Sequence, residues 1–327
     1  MPKLYFIIGC TGCGKGAVGR ELARRLGASS APQPGAAIVS LDSMKVYRRM
    51  DIGTAKPSAA LRAEIPHHCI DVVEPWEPFS VAQYVACADE AISGLFAAGA
   101  APLAVGGTSL YIKALSEGLF EGPPASAEFR AELESRARKE GWPAIHAELA
   151  KIDPDAGGRI HPNDERRITR ALEVYRLSGQ PISRLQAQWD TGRRRYDCVF
   201  IGLQRDKEDL ARRINLRVKR MVEAGLREEV RALLDDPRGL SQQAAQAVGY
   251  AEMIEHLAGR LDLEEAVERI KINTRQLAKK QRTWHRRFAG VQWFDLVADE
   301  PETRTAERIL ASGALEPTRK ISKDEHG

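Results

Sequence analysis

Along the first third of the chain, short continuous apolar runs alternate with amphipathic stretches. Residues 4–8, 36–40 and 102–105 read as strands, and residues 17–26, 81–98 and 111–115 as helical segments. Unbroken apolar runs, as opposed to alternating ones, belong to strands covered on both faces. Strand and helix in alternation therefore predict an α/β fold: a parallel sheet with helices on both sides. The rhythm then changes. After a break at Gly122-Pro123-Pro124 come helical patterns only, at 127–140, 145–152 and 165–178. Asp164 is placed to cap the last of these, with Gly179 to end it and Pro181 beyond. A strand returns at 198–203. An amphipathic helix over 209–223 follows, with Leu210, Ile214, Val218 and Met221 on one face and Arg213, Arg217 and Arg220 off it. Near the end, Leu263, Val267, Ile270, Thr274, Leu277, Gln281, Trp284 and Phe288 recur at spacings of four and three. They predict one long helix with a core-facing stripe.

The expected organisation is an α/β core from residues 1–119 and 198–297, interrupted by an all-helical insertion at 120–197. Residues 298–327 are polar and weakly periodic, so a loosely ordered tail is expected there. No stretch approaches the ~20 apolar residues of a membrane span, and no secretory pattern precedes the first strand. A cytoplasmic protein, monomeric by default, is the expectation.

Composition adds little until charge is placed along the chain. Of 327 residues, 29% are charged and the net charge is only +4. Residues 269–287, however, carry eight Lys or Arg and no acid. Lys271, Arg275, Lys279, Arg282 and Arg286 form a stripe beside the apolar one. Solvated helix faces usually mix signs, so this one points to contact with a phosphate backbone. The five cysteines, Cys10, Cys13, Cys69, Cys87 and Cys198, are scattered and odd in number, which argues against a disulfide framework. Cys10 and Cys13 have no second pair with which to build a zinc site.

The first strand runs directly into Gly9-Cys10-Thr11-Gly12-Cys13-Gly14-Lys15-Gly16, and a helix follows. Strand, G-x-x-x-x-G-K and helix together make a phosphate-binding loop, in which backbone N–H groups, a lysine and a helix N-terminus surround a polyphosphate. The position after the lysine ordinarily holds Ser or Thr, whose hydroxyl binds Mg²⁺; here it is Gly16. Strand ends in a parallel sheet face one crevice. Asp42 and Thr108, at the ends of the next two strands, are therefore expected beside Lys15. Asp42 can serve either as a general base or as a metal ligand.

Several words occur in a fixed order: Asp42-Ser43-Met44-Lys45-Val46-Tyr47, Asp51-Ile52-Gly53-Thr54-Ala55-Lys56-Pro57, Pro66-His67-His68, Gly106-Gly107-Thr108, and His161-Pro162-Asn163-Asp164. Gly249-Tyr250 and Thr274-Arg275-Gln276-Leu277-Ala278-Lys279-Lys280-Gln281 complete the series. In these the chain resembles the tRNA dimethylallyltransferases. The resemblance implies a P-loop NTPase-like core and transfer of a dimethylallyl group from its diphosphate to tRNA. The acceptor would be the exocyclic amine of the adenosine 3′ of the anticodon, in tRNAs reading codons that begin with U. It implies Mg²⁺ carried by the diphosphate, which Gly9, Cys10, Thr11, Gly12, Cys13, Gly14, Lys15 and Gly16 would cradle. Asp42, Lys15, Arg217 and Thr108 would be catalytic. Contacts to the anticodon stem-loop would come from Asp42, Ser43, Met44, Lys45, Thr108, Arg130, Arg166, Arg167, Ile168, Thr169 and Arg170. Further contacts would come from Gln246, Ala247, Val248, Gly249, Tyr250, Ala251, Arg275, Lys279 and Arg282. Two positions depart from the family pattern: Gly16 where Thr or Ser is usual, and Lys45 where Gln is common. An ammonium cannot copy an amide's paired donor and acceptor.

Two other readings compete. A small-molecule kinase accounts for the loop and the α/β rhythm but leaves the acid-free helix and the insertion without a purpose. A non-catalytic RNA-binding relative would keep the loop without its chemistry.

Overall fold

The computed structural model describes residues 3–28, 35–119, 122–186 and 194–315. Six strands form one parallel sheet: β1 (Lys3–Gly9), β2 (Ala36–Leu41), β3 (His67–His68), β4 (Ala101–Gly106), β5 (Asp197–Arg205) and β6 (Val291–Leu296). Their order is β3-β2-β4-β1-β5-β6. Tyr5 is in register with Leu103 on one side and Val199 on the other. β2 and β4 are buried along their whole length, as their continuous apolar runs require. The side chains on the two faces of the sheet enter separate cores. Tyr5, Ile7, Ile38, Leu103 and Ile201 pack on one side; Leu4, Phe6, Ile8, Val39 and Phe200 pack on the other.

The helices around this sheet include α1 (Lys15–Ala28), α2 (Ala59–Glu64), α3 (Val81–Ala97), α4 (Ser109–Glu117), α10 (Lys207–Glu223), α11 (Leu226–Leu234), α12 (Gln242–Ala245), α13 (Tyr250–Leu257) and α14 (Leu263–His285). Their ends are chemically marked. Ser80 and Gln83 form a reciprocal capping box on α3, and Asp206 caps α10. Tyr84 of α3 stacks on Tyr111 of α4 and donates to the Ser40 carbonyl at 3.0 Å, tying β2 to the helical layer.

Contacts divide the chain into two compact units, 1–116 with 196–327, and 117–195. In the second, α5 (Ala127–Glu140), α6 (Trp142–Ile152), α7 (Pro154–Arg159), α8 (Glu165–Ser178) and α9 (Ile182–Gln186) enclose Leu133, Ile145, Leu149, Ile168, Leu172 and Ile182. Asp164 caps α8, and Gly179, at φ 70°, closes it in the left-handed conformation that glycine tolerates best.

Two expectations need correction. The segment from 298 is not loose throughout: α15 (Glu302–Ala311) buries Thr305, Ala306 and Ile309, and Glu307 pairs with Arg25 of α1. Its buried residues are mostly small or polar, so the apolar period was faint; residues 316–327 lie outside the described range. The long helix is also rotated from its expected setting. Ala266, Ile270, Ala278 and His285 are buried, while Leu263 and Leu277 are exposed. Periodicity marks an amphipathic face but cannot tell a core from a ligand cleft.

Candidate active site

The phosphate loop is shaped by backbone needs. Gly12 (φ 82°) and Gly14 (φ 105°) occupy conformations that side chains disfavour. A Cβ at Gly9 would stand 2.7 Å from the Leu203 carbonyl oxygen. Cys10 and Cys13 are buried beneath the turn, and all five cysteines are free thiols. Lys15 opens α1 and donates from Nζ to the Cys10 carbonyl at 3.2 Å. Two arginines brace the loop from outside: Arg205 donates to the Cys13 carbonyl at 2.8 Å and Arg213 to the Gly12 carbonyl at 3.2 Å. Gln281 clasps it to β4. Its Oε1 accepts from Thr11 N at 2.7 Å, and its Nε2 donates to the Gly107 carbonyl at 2.9 Å.

Asp42 follows β2 directly. Its Oδ1 accepts backbone N–H groups from Met44 at 3.0 Å and Lys45 at 3.3 Å; its Oδ2 accepts from no described residue. The carboxylate is thereby oriented with one oxygen left over. Thr108 Oγ1 accepts from Ser43 N at 3.1 Å and fixes the same turn from the end of β4.

These strand ends border one cleft of about 900 Å³, lined by Lys15, Gly16, Asp42, Lys45, Thr108 and Arg217 among others. Its size falls within the usual range for enclosed small ligands. One wall is α10, presenting Arg213, Arg217 and Arg220; another is α14, presenting Leu277, Lys280, Gln281 and Trp284. The loop of Asp51, Ile52, Thr54, Ala55 and Lys56 makes a third. Glu229 of α11 holds that loop. Its Oε2 accepts from Asp51 N at 2.9 Å and Ile52 N at 2.8 Å; its Oε1 accepts from Gly53 N at 3.2 Å and Tyr250 Oη at 2.6 Å. The loop in turn offers the Thr54 carbonyl to Arg217 Nη2 at 3.5 Å.

The cleft is strongly cationic. Burial pushes Arg217 below its ordinary value, with Asp42 opposing the shift. Burial likewise lowers Arg20 and Arg213. It brings Lys45 down to about 8, with Asp42 favouring the charged form and Lys15, Arg217 and Arg20 opposing it. Lys56 differs: it is buried against Asp51, Asp71 and the Tyr47 carbonyl, and its charge is neutralised internally.

The structure thus brings together Gly9 to Gly16, Asp42 to Lys45, Thr108 and Arg217. Other expected contact residues behave differently. Ala247, Gly249 and Tyr250 are buried, and Tyr250 packs against Gly53 and Glu229. Ile168 is buried in the second unit. The side chains of Ala247, Tyr250 and Ile168 pack in the hydrophobic cores; Gln246 is exposed, and Val248 and Ala251 are half-buried. Within the second unit, Arg130 and Arg170 both bind the fully buried Glu173, while Arg166 and Arg167 are exposed and Thr169 is half-buried. Arg275 donates to Asn215 at 2.6 Å. Lys279 and Lys280 are exposed and Arg282 half-buried, and none of the three pairs with a carboxylate among the described residues. Sequence reasoning missed Arg20, Glu229 and the clasp made by Gln281. A signal existed for Arg20, which lies just over one turn beyond Lys15 on the same helix.

Comparison with known proteins gives a consistent result. The profile of the family described as IPP transferase matches residues 45–288. A tRNA dimethylallyltransferase of Geobacter sulfurreducens is 45% identical over 297 residues, covering 91% of this chain and 93% of that protein. One from Geobacillus thermodenitrificans is 42% identical, covering 94% and 95%. The crystal structure of a full-length tRNA isopentenylpyrophosphate transferase from Bacillus halodurans superposes with a TM-score of 0.67 at 39% identity, covering 95% of this chain and 96% of that one. A eukaryotic dimethylallyltransferase captured acting on tRNA superposes at 0.79 with 26% identity, covering 98% and 82%.

Proposed function

The chain belongs to the IPP transferase family, and on that premise we propose that its cleft joins dimethylallyl diphosphate to a tRNA adenosine. The protein is a prenyltransferase of tRNA. The finer reading is that the acceptor is the exocyclic amine of the adenosine 3′ of the anticodon, in tRNAs reading codons that begin with U. The observation that carries it is the sharing of one cleft by Lys15 and the uncommitted Oδ2 of Asp42.

An adenine amine is a weak nucleophile because its lone pair is delocalised into the ring. As its nitrogen bonds to the prenyl carbon, the carbon–oxygen bond to the diphosphate breaks. One amine proton passes to Asp42 Oδ2, and the diphosphate leaves with the bonding electrons. Lys15, the loop N–H groups and Arg217 stabilise the growing charge on the leaving group; one such donor is typically worth ~3 kcal/mol. Thr108 positions the Asp42 turn through Ser43. The exposed Arg166, Arg167, Lys279 and Lys280 and the half-buried Arg282 are the proposed phosphate contacts to the anticodon stem-loop. Bringing the base out of its stack costs a few kcal/mol, which those contacts offset.

A Mg²⁺ held by protein side chains alone does not fit this donor set. Gly16 supplies no hydroxyl, and among the described residues no group of three or more His, Cys, Asp or Glu converges. Any Mg²⁺ would enter with the diphosphate, and no step is routed through it. Among the described residues no helix is long and apolar enough to cross a membrane. We place the enzyme in the cytoplasm as a monomer.

The test is direct. Incubation with tRNA and dimethylallyl diphosphate should add a five-carbon unit to one adenosine, read by mass spectrometry of the digested tRNA. ATP turnover without RNA, and no mass gain, would overturn the reading in favour of a kinase.

A further inference from the structure

Resting on that reading, we propose that Lys45, with Arg20 on the same cleft, supplies the donor diphosphate with the positive charge that a loop hydroxyl and its metal ion would otherwise provide. Diphosphate capture by this chain then needs no divalent cation. Three observations converge.

The first is the room at Gly16. A Cβ built there meets one atom within 4 Å, Arg20 Nη1 at 3.6 Å, which is ordinary contact. Space therefore does not demand glycine, and what lies over the position is a guanidinium.

The second is the state of Lys45. It lines the cleft and is half-buried, yet its ammonium has no hydrogen bond or ion pair among the described residues. Lys56, on the same cleft, has three partners. An ammonium that lines a cleft without a protein partner is free to pair with an anionic ligand there.

The third is the company it keeps. Lys45 shares the lining of one cleft with Lys15, Gly16, Arg20, Asp42 and Arg217, and the four charged groups among them act on its ammonium. Three cations against one carboxylate act on it, a balance that favours a multiply charged anion. A phosphate of the RNA backbone has the same chemistry. The neighbouring Lys15 and the loop favour the diphosphate.

The experiment measures binding of inorganic pyrophosphate by calorimetry, with EDTA and then with Mg²⁺, alongside tRNA binding by filter retention. Wild type should bind pyrophosphate in EDTA within a few fold of its affinity in Mg²⁺. Lys45→Gln should weaken binding in EDTA by roughly 10- to 100-fold, the scale of one hydrogen bond to a charged group, while tRNA affinity changes little. Lys45→Arg should restore most of the loss, and thermal melts check that both variants fold. Undiminished binding by Lys45→Gln in EDTA overturns the proposal, as does a wild type that binds only with Mg²⁺. Weakened tRNA binding with unchanged pyrophosphate binding also overturns it and gives the lysine to the RNA. Wild-type prenyl transfer measured in parallel separates these failures from failure of the enzymatic reading itself.

Discussion

Glu229 is not on the reaction path, yet the cleft depends on it, and Glu229→Gln isolates its contribution. The carboxylate accepts four hydrogen bonds: three from consecutive backbone N–H groups of the 51–53 segment and one from Tyr250. Gln offers one oxygen and one NH₂ in the same space. With the oxygen turned toward Asp51 and Ile52, the NH₂ faces the Gly53 N–H donor to donor. Tyr250 can rotate its hydroxyl to accept; the Gly53 N–H cannot. The variant thus loses the charge from two bonds, reverses the Tyr250 bond and loses the Gly53 bond outright, leaving that donor without a partner. Hydrogen bonds to a charged acceptor are worth about 1.5–3 kcal/mol each, but water reaches the half-exposed Asp51 side. A net loss of about 2–3 kcal/mol in urea unfolding is expected. Because the loop presents the Thr54 carbonyl to Arg217, a shift of that loop should also lower kcat/KM for prenyl transfer by on the order of 10- to 100-fold. Tyr250→Phe, removing a single bond, should cost about 1 kcal/mol and couple strongly to Glu229→Gln in a double-mutant cycle. If Glu229→Gln unfolds within about 0.5 kcal/mol of wild type, the strut is not what holds the loop.

Two further outcomes follow from the same structure. Burial holds the His285 imidazole down to about 4, against the pull of the Gly107 carbonyl. The unfolded chain therefore takes up this proton first, near its ordinary value of ~6.5. The resulting stability is fully present above that value and lost as pH falls toward 4, by about 3 kcal/mol in total. His285→Phe should remove this component, so its stability difference from wild type should narrow from pH 7 to pH 4; a difference that stays constant refutes the assignment. Lys279 and Arg282 are proposed to meet RNA phosphates, so Lys279→Ala with Arg282→Ala should flatten the dependence of log Kd for tRNA on log salt by roughly 1.5. An unchanged slope places the RNA elsewhere.

The parallel sheet was legible because its strands are unbroken apolar runs, and the loop because Gly12 and Gly14 are needed where φ turns positive. Asp42 and Thr108 could be placed beside Lys15 from topology alone, since strand ends in such a sheet share an edge. The two-residue β3 is too short to leave a pattern. β6 was missed because Gln292, Trp293 and Asp295 give an edge strand little apolar continuity. The long helix misled for a more general reason. Leu277, Gln281 and Trp284 continue an apolar-looking stripe, yet that stripe lines the cleft. Tyr250 carries a task that its motif did not reveal: its buried hydroxyl donates to Glu229. Pairings such as Glu229 with the 51–53 amides join residues more than 170 positions apart, beyond any local pattern.

The proposed transfer requires Asp42 to act on the acceptor amine inside the cleft proposed to hold the diphosphate. Asp42→Asn keeps the shape and the two backbone hydrogen bonds but removes the base. Calorimetry with each ligand separately, followed by single-turnover transfer with both bound, should give affinities within a few fold of wild type and a transfer rate lower by about 10²- to 10⁴-fold. Collapse of tRNA affinity, or transfer at close to the wild-type rate, would contradict it.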